Sequence, residues 1–230
     1  MRIAIASFVC IIMSIGTPER AAHDSAGIRP PGGSDSGNAV KVDGVGNDYT
    51  SAYFDAAVDL DTRPARYELT SAGCGDVLVS ILDSAGCSVG TSLSGGVGRA
   101  IGYATAEDRN GDIYTTGKFS YSAEFNPGAG THDLMTAVGS TDAFISRHDR
   151  AGNLVWAKQL GGSCAVVVGS AVAVDSVGNL YTSGYFSGTV DFDPGPGAFS
   201  LTSLGDAYVL KLDTAGDFVW AVRLGESGDD

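Results

Sequence analysis

Gly178-Asn179-Leu180-Tyr181-Thr182-Ser183-Gly184-Tyr185-Phe186 is the stretch on which the reading of this chain turns, because the chain contains it more than once. Gly111-Asp112-Ile113-Tyr114-Thr115-Thr116-Gly117-Lys118-Phe119 repeats it at an offset of 67, and Gly46-Asn47-Asp48-Tyr49-Thr50-Ser51-Ala52-Tyr53-Phe54 is a weaker copy a further 65 residues upstream. Self-similarity at a fixed period decides a fold before any single element is read. The second half of the unit repeats as well. Asp206 to Asp213 follows Asp142 to Asp149 and Asp76 to Asp83, and Phe218-Val219-Trp220-Ala221 echoes Leu154-Val155-Trp156-Ala157.

Each unit carries two D-x-x-G turns, at Asp43/Gly46, Asp83/Gly86, Asp108/Gly111, Asp149/Gly152, Asp175/Gly178 and Asp213/Gly216, with starts 40, 25, 41, 26 and 38 residues apart. An Asp can cap such a turn and a Gly can supply its positive φ, so each turn joins two β-prone runs into a hairpin. Two hairpins make four strands, the content of one propeller blade. The third and innermost-looking strands are nearly continuous apolar runs, as expected of sheets covered on both faces. A β-solenoid needs a shorter period, and immunoglobulin-type sandwiches need more strands per module and a Cys-Trp-Cys framework that is missing.

The chain is therefore read as all-β, a propeller-like array of about three four-stranded antiparallel blades forming an incomplete ring. Its expected boundaries are a signal peptide at 1–16, a linker at 17–31, a degenerate first blade at 32–94, a second at 95–160, a third at 161–224, and the opening of a further repeat at 225–230. The signal peptide rests on Arg2 followed by the apolar run Ile3 to Ile15, too short to span a bilayer. It implies a secreted or cell-surface protein.

The Asp175, Gly178-Asn179, Tyr181, Gly184 pattern, with Val219-Trp220-Ala221 and Leu224-Gly225 after it, resembles the bacterial SBBP-type β-propeller repeat over about Gly32 to Asp230. The resemblance implies a propeller within a large secreted or surface protein and brings no catalytic residues with it. The first copy departs from the pattern. Asp48 stands where Ile113 and Leu180 sit, Ala52 replaces a Gly, and Gly90 takes the place of Trp156 and Trp220. A less stable blade is expected there.

Composition narrows the partners. Among 230 residues there are 33 Gly and a net charge of -13, while 43% apolar residues support a real core. Nucleic acid and anionic membrane surfaces are poor partners for such a charge. The acids divide into 22 Asp and 5 Glu, a bias toward turns over helices.

Antiparallel order puts all six D-x-x-G turns at one end of the sheets and the longer loops between strands 2 and 3 at the other. Those loops carry the acidic or amide pairs Asp59/Asp61, Glu124/Asn126 and Asp191/Asp193. Oxygen ligands spaced i, i+2 could hold Ca2+, the one cofactor considered, although no full EF-hand loop is present and loop capping is the plainer role. His23, His132 and His148 fall in the linker, a loop and a strand, at no metal spacing. No nucleophile elbow, zinc-protease helix or phosphate-binding Gly loop occurs. Trp156 and Trp220, at equivalent places, read as packing residues. Cys74, Cys87 and Cys164 are expected to remain thiols.

Three functions fit this reading. The first is a non-catalytic scaffold that presents a rigid loop face to a protein or surface polysaccharide. The others are a propeller hydrolase or lyase acting on polysaccharide through loop carboxylates, and a structural spacer. Three open blades would leave sheet faces uncovered, so the chain is expected to pair with another copy to close the ring, to aggregate, or to need further blades.

Overall fold

The computed structural model describes residues 36–55, 57–59, 68–71, 73–126, 132–137 and 139–225. The expected signal peptide and linker, and Asp61, lie outside these residues. Sixteen strands and no helix are present among them. Three four-stranded antiparallel sheets carry the fold. The first contains β1 (Ser36–Val42), β2 (Asp48–Phe54), β5 (Asp76–Leu82) and β6 (Ser88–Ser94) in that spatial order. The second contains β7 (Ala100–Glu107), β8 (Ile113–Phe119), β11 (Asp142–His148) and β12 (Leu154–Leu160). The third contains β13 (Val166–Val174), β14 (Leu180–Asp191), β15 (Ser200–Leu212) and β16 (Phe218–Leu224). Two small hairpins, β3 (Ala57–Asp59) with β4 (Glu68–Thr70) and β9 (Ser122–Glu124) with β10 (Asp133–Met135), project from the first two sheets. In the third sheet the same projection is continuous with β14 and β15.

All six D-x-x-G turns form as hairpins, and their geometry explains the motif. In the Asp175 turn, Oδ1 accepts the backbone N–H groups of Val177 and Asn179, Oδ2 accepts the Asn179 amide, and Gly178 takes φ +93°. Tyr181 closes the turn by donating its hydroxyl to Asp175 Oδ2. Asp43 and Tyr49 repeat this arrangement, as do Asp108 and Tyr114. The turn thus consumes the carboxylate that makes it. Against desolvation, which raises them, hydrogen bonds from the turn hold these carboxylates below their usual range: the Asn179 and Asn153 side-chain amides lead for Asp175 and Asp149, and backbone N–H groups lead for Asp43.

The sheets stack face against face. Tyr49, Val77, Val79 and Ile81 of the first pack on Ile113, Phe119, Phe125 and Phe144 of the second. Tyr114, Ala143, Ile145 and Leu160 on the opposite face of the second pack on Leu180, Phe186, Tyr208, Leu210 and Leu212 of the third. The middle sheet is therefore buried on both sides, which is why Asp142–His148 reads as an almost unbroken buried strand. The third strand of each sheet is interior to it. The strands that meet at the junctions are the first ones, with β7 lying against both β1 and β13, so the innermost position belongs to them and not to the apolar third strands. The stack does not close on itself.

Between sheets, one side chain recurs as a knob and one turn as its seat. Trp156 on β12 lies against the Asp213 turn of the next sheet, where a Cβ on Gly216 would come 3.0 Å from the indole carbons. Arg147 donates to the Thr214 carbonyl of that turn at 2.9 Å, and Lys158 reaches Asp217 at 3.9 Å. At the first junction Gly90 replaces the Trp. The Asp149 turn moves in against the bare backbone, so that a Cβ on Gly90 would sit 2.7 Å from the Ala151 carbonyl oxygen. The small residue in the degenerate copy is matched to a closer approach of its neighbour.

Candidate functional site

The end of the sheets opposite the D-x-x-G turns is built from the projecting hairpins and the connections between sheets. Gly95 N–H and C=O pair with Glu124 C=O and N–H, and Asp191 N–H donates to the Gly161 carbonyl in the equivalent place. The projecting hairpins of the second and third sheets are each tied in this way to the connection that enters their own sheet. It is a braced platform, as far as backbone hydrogen bonds can make one.

Of the carboxylates picked out for this end, Glu124, Asp191 and Asp193 hold their own loops. Glu124 Oε1 accepts the N–H groups of Asn126 at 2.6 Å and His132 at 2.7 Å. Asp191 Oδ1 accepts those of Asp193 at 3.0 Å and Phe199 at 2.9 Å, and Asp193 Oδ1 takes the Gly195 N–H at 2.8 Å. Asp59 lies on β3, paired with Glu68 across the hairpin. Among the described residues no group of three or more His, Cys, Asp and Glu side chains is arranged to hold a metal ion. The pairs mark equivalent places in successive blades, but the described ones do not converge on one centre.

What does converge there is apolar. Val97 in the connection, Tyr121 at the root of the β9–β10 hairpin and Met135 at its end are 77%, 73% and 70% exposed. Their segments meet at the root of the hairpin. A Cβ on Gly98 would lie 3.2 Å from Tyr121 Cβ, and Tyr121 is bracketed by the β10 end, donating its N–H to Thr136 Oγ1 and accepting the Thr136 N–H at its carbonyl. Tyr121 has φ +64°, where an L side chain pays for crowding against its own backbone. The equivalent residue of the third sheet is Gly188, at φ +89°. The places equivalent to Val97 and Met135 hold Ser163 and Thr202. The repeat scaffold therefore does without this patch, and the second blade alone carries it among the two that can be compared.

Replacing Tyr121 by Gly should relieve the strained φ and raise stability by up to about 1 kcal/mol. Equilibrium urea denaturation against the parent checks this. A loss of stability would show that Tyr121 is a packing residue and that its exposure misrepresents its role.

Three buried polar side chains lie inside the stack, and the first of them touches the platform's backbone through Gln159, whose amide also donates to the Met135 carbonyl at 2.9 Å. Asp142 opens β11 beneath Gly161, whose missing Cβ leaves room for the carboxylate, and Gln159 donates to its Oδ2 at 2.5 Å. Burial pushes Asp142 up to about 6, with the Gln159 bond opposing. His148, at the end of the same strand, is fully buried and shares a 2.8 Å hydrogen bond through Nε2 with Ser92 of the first sheet. Its Nδ1 has no partner among the described residues, and burial pulls the imidazole down to about 4. Tyr208 is buried in the second junction, where desolvation pushes its phenol above the ordinary range. His132 is held at the Ala157 carbonyl through Nε2 at 3.1 Å. Cys74, Cys87 and Cys164 are free thiols. Ser92 Oγ and His148 Nε2 form a hydroxyl–imidazole pair, but both side chains are buried between the first and second sheets.

Three stacked four-stranded antiparallel sheets, each made of two turn-capped hairpins and leaving the stack open, define an array of β-propeller blades that is not closed. Residues 155–185 match the family model of the SBBP β-propeller repeat. The matched segment runs from the knob strand β12 through the Gly161 connection and the Asp175 turn into β14, so the sequence repeat straddles the junction between two blades. The chain is also similar to an uncharacterized WD repeat-containing protein of Acanthamoeba polyphaga mimivirus, 28% identical over 135 residues that make up 54% of this chain and 10% of that protein. The chain thus spans about a tenth of the length of the curated relative it matches. No helix among the described residues is long and apolar enough to cross a membrane.

Proposed function

We propose that this propeller segment is a non-catalytic interaction module that receives a protein partner on the platform formed by Val97, Tyr121 and Met135. A single observation carries the reading. Three large apolar side chains stand exposed on segments that meet at the root of the β9–β10 hairpin, at positions where the third blade has Ser, Gly and Thr. Tyr and Met are enriched at the cores of protein interfaces, and an exposed aromatic held in a strained conformation is a feature folding alone does not ask for. The hairpins around the patch differ in sequence between the second and third blades while the sheets beneath them share one topology, which suits recognition. The run Ile3 to Ile15 supports a secreted or surface setting for that partner.

The test is a comparison of retention. Cell-surface and secreted proteins of the source are passed over immobilised parent chain and over Tyr121→Ser/Met135→Ser, and a glycan array is probed in parallel. A protein retained by the parent and lost from the double variant is the expected result. Equal retention by both overturns the patch as the binding surface, and a glycan signal sensitive to the same substitutions replaces the protein partner with a polysaccharide.

A further inference from the structure

The junction between the first and second sheets carries a polar layer that the junction between the second and third replaces with aliphatic residues. Cross-strand partners share a face of their sheet. On the first sheet Ser51, Val79 and Ser92 form one such row, and on the second Thr105, Thr115 and Ser146 form another. Val79 and the neighbours Ile113 and Phe144 lie in the core shared by the two sheets, so both rows face the junction. His148 continues the second row toward the D-x-x-G turns and meets Ser92 across the gap. Ser51, Thr115, Ser146 and His148 are buried, yet the hydroxyls of Ser51, Thr105 and Thr115 and the Nδ1 of His148 have no hydrogen-bond partner among the described residues. In the third sheet the places of Thr105, Ser146 and His148 hold Val172, Leu210 and Leu212. Thr182, the counterpart of Thr115, donates its hydroxyl to the Ala171 carbonyl at 3.0 Å.

A polar group buried without a partner favours any state that returns it to water. His148 makes that preference depend on pH. With the ring neutral, one nitrogen is engaged by Ser92. Once protonated, both nitrogens are donors and the ring carries a charge. The elements around it offer no free carboxylate among the described residues. Ser92 and Gly90 face it from β6, Ile81 from β5, Ile113 from β8 and Leu154 from β12. Glu107 lies beyond Ile113 in the same row, bonded by Tyr49 and in the field of Asp43 and Lys41. Asp149, the next residue, is the one charge that acts on the ring, and its oxygens already accept the Ala151 and Asn153 N–H groups and the Asn153 amide. Asp142, on the same face at the far end of β11, is covered by Gly161 and Gln159 of its own sheet.

We infer that the junction between the first and second blades is an acid-opened seam, at which protonation of His148 parts the first blade from the second while the second stays joined to the third. Opening exposes the ring and the unpaired hydroxyls to water together. The second junction has no such trigger. Its buried titratable group is the Tyr208 phenol, which burial keeps neutral throughout the acid range, and the Trp156 knob and the Arg147 bond to the Thr214 carbonyl, both missing from the first junction, hold it closed. The inference rests on this junction alone and does not depend on the platform at Val97, Tyr121 and Met135.

Thiol labelling inside the two junctions reads the seam directly. Ser51→Cys places a thiol in the first junction and Thr182→Cys one in the second, and each is labelled with 4,4′-dithiodipyridine in the full chain and followed at its own peptide by mass spectrometry. Rates are divided by those of the urea-unfolded chain at the same pH. Between pH 7 and pH 5 the Ser51→Cys rate should rise about 20-fold, the ratio expected of a ring that titrates near 6.5 when open and near 4 when closed. Thr182→Cys should change less than twofold. His148→Leu should abolish the rise, and Asp142→Asn should leave it in place. Thr115→Cys repeats the reading from the second sheet should Ser51→Cys perturb the first. A rate that does not rise, one that rises equally in both junctions, or a rise that survives His148→Leu would each overturn the seam.

Discussion

Between pH 4 and 6 the His148→Leu and Asp142→Asn variants should respond to pH in opposite directions. Unfolded, a His titrates near 6.5 and an Asp near 3.8; folded, His148 is pulled down to about 4 and Asp142 is pushed up to about 6. The unfolded chain therefore binds the His148 proton more readily, and stability from this residue is full above pH 6.5 and is lost as pH falls toward 4. For Asp142 it is the folded chain that holds the proton, so stability is lost as pH rises from 3.8 through 6. Each shift corresponds to about 3 kcal/mol, at about 1.4 kcal/mol per pKa unit, and in the parent the two slopes oppose one another. Removing His148 leaves the Asp142 slope exposed, and stability relative to the parent should fall by about 3 kcal/mol as pH rises across the window. Asp142→Asn should give the reverse. Leu is the natural replacement for His148 because Leu82 and Leu212 occupy the same place in the other blades. Urea denaturation at half-unit pH steps measures both, and parallel curves for the two variants would show that neither group titrates as its surroundings require.

Gly184→Ala should unfold the third blade at a cost of about 3 kcal/mol or more. A Cβ there would fall inside the van der Waals envelope of the Val168 carbonyl oxygen on β13 and 3.1 Å from the Tyr208 ring. Both neighbours are fixed. The carbonyl belongs to a strand paired on its other residues, and Tyr208 is fully buried among Phe186 and Phe192. Overpacking of this kind is relieved only by moving backbone. In the first blade, Ala52 already stands at this place, with Leu78 where the later blades have Phe144 and Tyr208, so an aliphatic neighbour goes with the added methyl. A Tyr208→Leu substitution should accordingly recover part of the loss in Gly184→Ala, although it costs stability in the parent. Thermal melting distinguishes the cases: the single Gly184→Ala should lose roughly 6–12 °C.

The contrast between these residues and the repeat shows what a sequence of this type can and cannot convey. Hairpin turns were legible because Asp175, Gly178 and Tyr181 interact within seven residues, so the entire device is written in one short string. Blade content followed from the spacing of those strings. The platform was not legible. Val97, Tyr121 and Met135 come from three separate segments, and their one signal was negative, namely a Tyr and two apolar residues where the third copy has Gly188, Ser163 and Thr202. Of the loop carboxylates, Glu124, Asp191 and Asp193 accept N–H groups of their own loops, and sequence does not distinguish that role from cation binding, since Asp and Glu look alike in either. Pairings across sheets, such as His148 with Ser92 at 56 residues' separation, leave no mark in either segment. The misplacement of the innermost strand has the same origin: an apolar run shows that both faces are covered but not where in the sheet the strand lies.

The middle sheet, packed on both faces, has a kinetic meaning for the amide protons of this chain. Each blade touches only its neighbours, so the free energy needed to open one depends on how many interfaces must part. For β8 and β11 that number is two, while the outer sheets lose one. Deuterium should therefore enter the peptide groups of Ile113–Phe119 and Asp142–His148 last, and opening should proceed from either end of the stack inward as separate steps.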